Sequence, residues 1–342
     1  MFLGDVSGWS HCGDMSQYDV AVIGGGAAGL SAALVLARAG RAVVVVDAGS
    51  PRNAPATRMY GYLSRDGFSP RELLLVGRGE VERYGGEIVH GTATAARVGG
   101  DTAFLVALAD GSELSARRLV VTTGLRDELP DIPGLRDRWA RDVLHCPYCH
   151  GHEVRGRRLG VLGGTPGAVR FAQIVRQWTD DLVYFTPAGQ LTALERTQLQ
   201  ARAIGVVEGT VDSLVVDDDQ LVGVQLQDGC VVPRDALFVP PRFVANGDVL
   251  MSLGCRTDAQ GWVTTDPTGH TSVPGVWAAG NVVDPRAQVI TAAGAGSAAA
   301  IAVNAHLVDD DVRRAVHDYE RGLPHTATEH DHPSITDPKE TP

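Results

Sequence analysis

Short apolar runs, separated by glycine-rich turns and helical patterns, cover most of this chain. Residues 18–23 and 42–46 are mainly apolar runs that predict two buried strands. Residues 27–39 between them predict a helix that ends at Gly40. A strand, a helix and a second strand in this order predict a βαβ unit with parallel strands.

The same pattern occurs a second time further along the chain. Residues 158–162 and 182–185 predict strands, and residues 168–178 between them predict a helix. The turn residues Asp110 and Gly111 predict a hairpin between two further strands. The remaining predicted elements are helices at 71–84 and 289–307 and strands at 98–108, 113–121, 206–207, 214–216, 221–227, 236–239 and 275–279.

The second βαβ unit lies inside the first, so the predicted fold class is α/β, with two nested Rossmann-like three-layer domains. The outer domain is predicted at 17–124 and 243–310, and the inserted domain, which contains the Cys146–Cys149 pair, at 125–242. Pro240 and Pro241 mark the second boundary. The termini, 1–16 and 311–342, are polar or charged and are expected to be flexible.

Composition narrows the class of protein. The net charge of -11 argues against a nucleic-acid partner, which favours a basic surface. The longest apolar stretch, residues 289–303, is shorter than the roughly 18 residues that span a bilayer, so we expect no membrane contact. Residues 1–16 do not resemble a secretory signal, and the five cysteines are too few for a disulfide framework. A cytoplasmic location is expected.

A dinucleotide-binding fingerprint joins the first predicted strand to its helix. Gly24, Gly26 and Gly29 form a Gly-x-Gly-x-x-Gly loop, in which glycine lets the backbone approach a pyrophosphate at the helix N-terminus. Asp47 ends the next strand, where a carboxylate can bind a ribose hydroxyl. Because strand, helix and acid are all in place, the fingerprint is much more specific than the glycines alone.

The segment Cys146-Pro147-Tyr148-Cys149-His150 allows three interpretations. It satisfies the pattern for covalent haem attachment, which normally requires export. His145, Cys146, Cys149, His150 and His152 could also bind zinc, although structural zinc sites usually include a second distant ligand pair. A redox-active pair fits best, because a helix N-terminus near Pro147 would lower the pKa of a thiol. The predicted site therefore holds no metal.

The order of these motifs resembles low-molecular-weight thioredoxin reductases over about residues 17–308. The motifs that carry the resemblance are the glycine loop, Val-Val-Thr-Thr-Gly at 120–124, Ile-Pro-Gly at 132–134, the cysteine pair, the second loop, Gly-Val-Trp-Ala-Ala-Gly-Asn at 275–281 and Gln-Val-Ile-Thr-Ala-Ala-Gly at 288–294. The resemblance implies FAD on the outer domain, NADPH on the inner one and a homodimer. It also implies that Cys149 faces the flavin and that Cys146 exchanges with the substrate.

Transferred to this chain, the resemblance implies a set of residues around FAD. The expected cofactor-binding residues are Gly24, Gly26, Ala27, Ala28, Gly29, Asp47, Arg52, Asn53, Thr123, Gly124, Gly280, Asn281, Gln288 and Val289. Asn281 replaces an acid of the family and can still form a hydrogen bond with a ribityl hydroxyl. His150 also replaces an acid; it either transfers thiol protons or caps a turn.

The second glycine loop departs from the family pattern. Only Gly163 and Gly164 precede Thr165-Pro166, and no basic cluster follows the strand at 182–185. The 2′-phosphate of NADPH needs arginine or lysine partners. Arg170 or Arg176 could replace the missing cluster; otherwise the nicotinamide site is lost.

A flavin enzyme with a cysteine pair and no nicotinamide site resembles one branch of the family, the dithiol oxidases that close disulfides in natural products such as gliotoxin, holomycin and romidepsin. This resemblance implies that a small-molecule dithiol attacks Cys146, that Cys149 then reduces FAD, and that O2 reoxidises the flavin to give H2O2. The alternatives are an NADPH-dependent thioredoxin or disulfide reductase and a flavin-bearing redox sensor without turnover.

Overall fold

The computed structural model describes residues 17–99 and 103–321, with two mainly parallel sheets as its framework. The strands of these residues are β1 (Gln17–Ile23), β2 (Val43–Asp47), β3 (Glu87–His90), β4 (Ala93–Val98), β5 (Phe104–Leu108), β6 (Glu113–Val121), β7 (Leu125–Glu128), β8 (Val143–Leu144), β9 (Leu159–Leu162), β10 (Leu182–Thr186), β11 (Gly205–Glu208), β12 (Val211–Asp217), β13 (Gln220–Leu226), β14 (Val231–Pro233), β15 (Ala236–Phe238), β16 (Arg242–Ala245) and β17 (Val276–Ala278). The helices are α1 (Ala27–Arg38), α2 (Pro70–Arg83), α3 (Pro147–His150), α4 (Ala168–Val175), α5 (Ala193–Ala201), α6 (Asp248–Ser252) and α7 (Val289–Glu320).

The first sheet has seven strands in the order β3-β2-β1-β6-β5-β4, with β17 also paired to β6. Strands β1, β2, β3, β6 and β17 are parallel, whereas β4 and β5 form an antiparallel extension. All five residues of β2 are buried, as expected for a parallel strand covered on both faces. The glycine loop therefore lies at the carboxyl end of the central strand β1.

The second sheet consists of five parallel strands in the order β11-β10-β9-β15-β8. Strands β12, β13 and β14 form a separate antiparallel sheet. Strands β7 and β16 pair with each other at the two points where the chain passes between the larger sheets. The short strand β8 leads directly into α3, which places the cysteine pair at one end of the second sheet.

Helices α1 and α7 pack closely on one face of the first sheet. Ala292, Ala299 and Val303 of α7 are buried in the same hydrophobic cluster as Ala28 and other residues of α1. A Cβ on Gly296 would lie 1.9 Å from the carbonyl oxygen of Ala28. The small residues of α7 thus let two helix backbones approach, and this contact holds the start of α7 beside the glycine loop.

The predicted α/β fold class is confirmed, and several element boundaries were wrong. The single strand predicted at 98–108 is two antiparallel strands, β4 and β5. Strands β3, β7, β8, β14 and β16 were missed, because they are two to four residues long and too short to show a period. The predicted flexible termini at 1–16 and beyond residue 321 lie outside the described residues.

Helix α7 is longer than predicted, since it continues from residue 307 to Glu320 through a charged stretch. Asp311 accepts hydrogen bonds from Arg41 at 2.8 Å and from Arg117 at 2.7 Å, and Asp310 pairs with Arg118. These ion pairs hold the second half of the helix on the edge of the sheet. Residues 311–320 are therefore helical, which corrects the prediction of a flexible terminus from residue 311.

By length and composition, α7 is the one described helix that could cross a membrane, with a mean hydropathy of 1.3. The sequence-based statement that the longest apolar stretch is shorter than about 18 residues was therefore wrong. The apolar residues of α7 include a face of small side chains packed against α1 and the first sheet. This packing is typical of the core helix of a globular domain.

Candidate active site

The glycine loop between β1 and α1 lies against neighbouring backbone, which explains its sequence. A Cβ on Gly24, whose φ is +107°, would lie 2.6 Å from the carbonyl oxygen of Thr122. A Cβ on Gly29 would lie 1.8 Å from the carbonyl oxygen of Gly24. Gly26 is the N-cap of α1, where no side chain caps the helix and nothing lies within 4 Å of a Cβ. The first N–H groups of α1 are therefore open to a phosphate.

A cavity of about 510 Å³ extends from this loop to the cysteine pair. It is lined by most of the predicted site residues, namely Gly24, Gly26, Ala27, Ala28, Asp47, Arg52, Asn53, Thr123, Gly124, Cys149, His150, Gly280, Asn281, Gln288 and Val289. Gly29 and Cys146 are not part of the lining. Gly29 packs beneath the loop, and Cys146 is only 6% exposed. Residues from five separate stretches of the chain thus meet around one cavity.

Cys146 and Cys149 form a disulfide at the start of α3. Cys146 is the N-cap of this helix, and its Sγ accepts a hydrogen bond from the backbone N–H of Cys149 at 3.1 Å. Pro147 begins the helix, as the sequence predicted. Donors at a helix N-terminus stabilise a thiolate, so this position favours negative charge on Cys146 after reduction.

The side chain of Gln288 contacts both sulfur atoms of the disulfide. Its Nε2 lies 3.7 Å from Cys146 Sγ, and its Oε1 lies 3.2 Å from Cys149 Sγ. Gln288 is the N-cap residue of α7, but its side chain makes no capping hydrogen bond there. The sequence prediction placed Gln288 in the cofactor site and missed this contact, because Gln288 lies 139 and 142 positions from the two cysteines.

Asp47 lies at the cavity wall with both carboxylate oxygens already bonded. Oδ1 accepts from the backbone N–H of Gly25 at 3.3 Å and of Gly49 at 3.1 Å. Oδ2 accepts from Arg78 Nη2 at 2.6 Å, and Arg78 Nε is buried without a hydrogen-bond partner. A ribose hydroxyl at Asp47 would therefore meet a carboxylate whose orientation Arg78 fixes.

Comparison with known proteins identifies this arrangement. The sequence model of the pyridine nucleotide-disulphide oxidoreductases matches residues 18–297. The chain belongs to this family. Its members of the thioredoxin reductase type are FAD flavoproteins, and the enzyme is a flavin-dependent thiol/disulfide oxidoreductase. The predicted resemblance to thioredoxin reductases and the predicted FAD cofactor are confirmed.

Relatives cover nearly the whole of this flavoenzyme. Thioredoxin reductase sirT of Leptosphaeria maculans is 33% identical over 316 residues, which are 87% of this chain and 96% of that protein. The crystal structure of HlmI is 55% identical, has a TM-score of 0.87, and covers 92% of this chain and 99% of its own. The putative thioredoxin reductase TrxB of Bacillus anthracis is 29% identical, with a TM-score of 0.82 and coverage of 86% and 99%.

The cavity of the flavoenzyme fits FAD at both ends. At one end, no side chain caps the N-terminus of α1, and the space beside Gly26 is open, so a pyrophosphate can bind there. At the other end, the redox-active sulfur of Cys149 lines the wall. Asn281 also lines the cavity, and its Nδ2 donates to the carbonyl oxygens of Asp284 at 2.9 Å and Ala287 at 3.1 Å. Asn281 therefore holds the loop before α7 in place.

A group of polar and aromatic residues beside Cys146 was missed by the sequence analysis. Arg52 forms a bidentate ion pair with Asp127 at 2.8 and 2.9 Å, and its Nη2 lies 3.2 Å from His145 Nε2. His145 also stacks on Trp139, while the Arg52 guanidinium lies over the ring of Phe243. Arg52, expected at the cofactor, thus ties the outer domain to the segment that contains the cysteines.

Burial and the charge of Arg52 lower the pKa of His145 to about 4. The unfolded chain binds a proton on this imidazole below about pH 6.5, whereas the folded protein does not until about pH 4. Between these values the unfolded state binds more protons, so stability falls as the pH falls. We expect this group alone to lower the free energy of unfolding by up to about 3 kcal/mol between pH 7 and pH 4.

Urea denaturation of His145→Gln at pH 7 and pH 5 measures this contribution. The variant should lose less stability between the two pH values than the unchanged protein does. His152→Gln, at an exposed imidazole nearby, serves as the control and should retain the full pH dependence. An equal loss of stability in both variants would show that His145 does not couple folding to protonation.

The second glycine loop, between β9 and α4, packs in part against β10 and the residues that follow it. A Cβ on Gly163 would lie 2.5 Å from the hydroxyl oxygen of Tyr184 and 2.6 Å from the carbonyl oxygen of Phe185. Gly164 faces the side chains of Gln190 and Pro187, which follow β10. None of the loop residues Gly163–Gly167 lines the large cavity. Gly163 therefore packs on β10, whereas nothing lies within 4 Å of a Cβ on Gly167, the N-cap of α4.

Of the two arginines that could replace the missing basic cluster, Arg176 binds other groups. Arg176 donates to the carbonyl oxygens of Thr179 at 2.8 Å and Arg202 at 2.9 Å, and it pairs with Asp180 at 2.6 Å. Arg176 lies past the end of α4, away from the loop at its start, so it does not replace the missing basic cluster. Arg170 lies in the first turn of α4, with an exposed side chain.

Proposed function

We propose that the enzyme is an FAD-dependent dithiol oxidase that closes a disulfide in a small-molecule substrate and passes two electrons to O2. The observation that carries this proposal is the contrast between the two nucleotide loops. The first opens into a cavity that leads to Cys149, whereas the second lies outside that cavity and has no basic cluster after β10. Electrons therefore enter through the cysteines.

The reaction balances as a dithiol plus O2 giving a disulfide plus H2O2. A substrate thiolate attacks Cys146 Sγ, which breaks the Cys146–Cys149 bond and leaves Cys149 as a thiolate. The second substrate thiolate then attacks the substrate sulfur of the mixed disulfide, which closes the product and releases Cys146. FAD, when bound, supplies the two-electron acceptor beside Cys149 and a site that O2 can reoxidise.

His150 acts as the base in this scheme. Its imidazole lines the cavity, and burial lowers its pKa below the usual range, so it is neutral at physiological pH. A neutral imidazole can take the proton of a substrate thiol. Its ring has no hydrogen-bond partner among the described residues, which argues against the capping role that the sequence left open.

Tyr148 provides the surface that a small substrate would contact. Tyr148 is 67% exposed, its ring lies edge-on against Trp178, and it directly precedes Cys149 in the chain. Cys146 is only 6% exposed, so little of this residue is open to a partner. A compact dithiol needs a smaller opening than a folded protein partner does.

FAD is held in this proposal by the outer domain, 17–124 with 243–310, as the sequence predicted. The N-terminus of α1 at Gly26, Ala27 and Ala28 binds the pyrophosphate, and Asp47 binds the ribose. Thr123, Gly124, Asn53, Gly280 and Asn281 also line the cavity wall. The inserted domain, 125–242, keeps the cysteine pair but not the nicotinamide.

Relatives named thioredoxin reductases support a second candidate, which transfers electrons from NADPH to a disulfide. Two charge-assisted hydrogen bonds to the 2′-phosphate contribute roughly 1.5–3 kcal/mol each. Their loss therefore weakens the binding of NADPH by about two to four orders of magnitude. This weakening is the reason for preferring the oxidase direction.

Flavin absorbance in an anaerobic cuvette distinguishes the two directions. A small dithiol should bleach the flavin band, and admission of O2 should restore it while H2O2 accumulates. Micromolar NADPH should leave the band unchanged over the same period. Rapid bleaching by NADPH, with none by dithiol, would identify a reductase; a thioredoxin reductase measured in parallel shows that the NADPH is competent.

A homodimer is also part of the proposal. Exposed apolar residues follow one stripe of α7, namely Ile301, Val308, Val312, Val316 and Tyr319. Such a stripe suits a second copy of the chain. Light scattering that gives the mass of one chain at micromolar concentration would reject the dimer. A cytoplasmic location stays a prediction.

A further inference from the structure

Gln288 is placed to act on the charge of the reduced cysteine pair. Its amide nitrogen lies 3.7 Å from Cys146 Sγ, and its amide oxygen lies 3.2 Å from Cys149 Sγ. Gln288 is the last residue before α7, a helix anchored along its length by packing and ion pairs. The amide therefore approaches the sulfurs from a rigid element.

A disulfide sulfur is a weak hydrogen-bond acceptor, but a thiolate is a strong one, and a thiol is a donor. An amide N–H stabilises a thiolate, whereas an amide oxygen repels a thiolate and accepts from a thiol. The amide can present its N–H to only one of the two sulfurs at a time. Its orientation therefore determines which cysteine carries the negative charge after reduction.

We propose that Gln288 is a positioning residue that assigns the charge of the reduced pair, with its N–H on a Cys146 thiolate and its oxygen accepting from a Cys149 thiol. The backbone N–H of Cys149, 3.1 Å from Cys146 Sγ, adds a second donor to the same sulfur. Cys146 is thereby favoured as the leaving group when the product disulfide closes.

A half-turn of the amide exchanges its nitrogen and oxygen and reverses this preference. One proton then moves from Cys149 to Cys146, and the negative charge moves from Cys146 to Cys149, which faces the cavity. No electrons are transferred in this step, so charge and protons balance. One side chain can thus serve each cysteine in turn, first during exchange and then during transfer of electrons to the flavin.

His145 and His150 do not provide an equivalent charge. Burial lowers the pKa of both imidazoles, so neither adds a positive charge beside the sulfurs at neutral pH. Gln288 is the side chain that forms contacts with both sulfurs among residues 17–99 and 103–321. The inference concerns the thiols alone and holds whichever way electrons flow.

The test is the pH dependence of alkylation of Cys146 and Cys149 by iodoacetamide, followed by peptide mass spectrometry on the reduced, FAD-bound protein, since the alkylation rate follows the thiolate fraction. Gln288→Met keeps the length of the side chain and removes the amide. We expect the thiolate fraction at a given pH to fall about tenfold to a hundredfold, as the pKa of the first thiol rises. Gln288→Glu should raise that pKa further, because it replaces the donor by a negative charge.

Cys146→Ser and Cys149→Ser, each combined with Gln288→Met, show which thiol the amide acts on. A larger rise of the pKa for the thiol left at Cys146 than for that left at Cys149 supports the assignment. Gln260→Met, at an exposed glutamine, should titrate like the unchanged protein. Superimposable titrations of Gln288→Met and the unchanged protein, both folded by circular dichroism, would overturn the inference without affecting the proposed function.

Discussion

Replacement of Cys149 by serine should reduce turnover with a dithiol by about three orders of magnitude or more, the scale expected when a covalent intermediate is lost. Cys149 is the half of the disulfide that lines the cavity, so its thiolate is the group that can pass electrons to a flavin. The measurement is anaerobic bleaching of the flavin by a dithiol, followed by steady-state H2O2 release.

Two other cysteine variants make this experiment specific. Cys146→Ser should also stop turnover but leave Cys149 as a thiolate beside the flavin, with a long-wavelength charge-transfer band. Cys230→Ser removes an exposed free thiol outside the cavity and should leave the rate unchanged. A Cys149→Ser enzyme that kept half of the normal rate would contradict the assigned role.

The largest effect on stability is expected at Gly296 of α7. A methyl group there would lie 1.9 Å from the carbonyl oxygen of Ala28, and neither helix backbone can move without disturbing the core. Overpacking typically costs about 1–3 kcal/mol, and a clash with backbone lies at or above the upper end of that range. Gly296→Ala should therefore lower the free energy of unfolding by about 3 kcal/mol or more.

Gly294→Ala is the matched control in the same helix. Nothing lies within 4 Å of a Cβ at Gly294, and the residue is exposed. Since alanine is a better helix former than glycine, this change should stabilise the protein by about 0.5–1 kcal/mol. Urea denaturation of both variants gives the comparison, and equal stability of the two would show that the α1–α7 contact can relax.

The two βαβ units could be predicted because their strands are mainly apolar and their helices show a clear period. The second half of α7 could not, because its charged sequence is typical of a solvated tail. Ion pairs hold this half of the helix in place. Asp310 pairs with Arg118, and Asp311 pairs with Arg117 and Arg41, which all lie far away in the chain. No local pattern contains this information.

The candidate site divides in the same way. Its glycines, Asp47 and the cysteine pair could be found because each belongs to a motif with fixed spacing. The partners of these residues could not be found, since Arg78, Asp127 and the contact of Gln288 with the disulfide depend on tertiary structure. The motifs therefore identified the reactive and binding residues, and only the folded structure showed which side chains orient them.

The pairing of β7 with β16 means that the chain leaves the outer sheet and returns to it at the same place. Glu128 lies opposite Arg242, so the two ends of the intervening segment are neighbours across one antiparallel ribbon. The inserted domain is thus joined to the outer domain through one two-stranded ribbon. Its surface and loops can be exchanged or shortened over evolution while this ribbon and the flavin cavity keep their geometry.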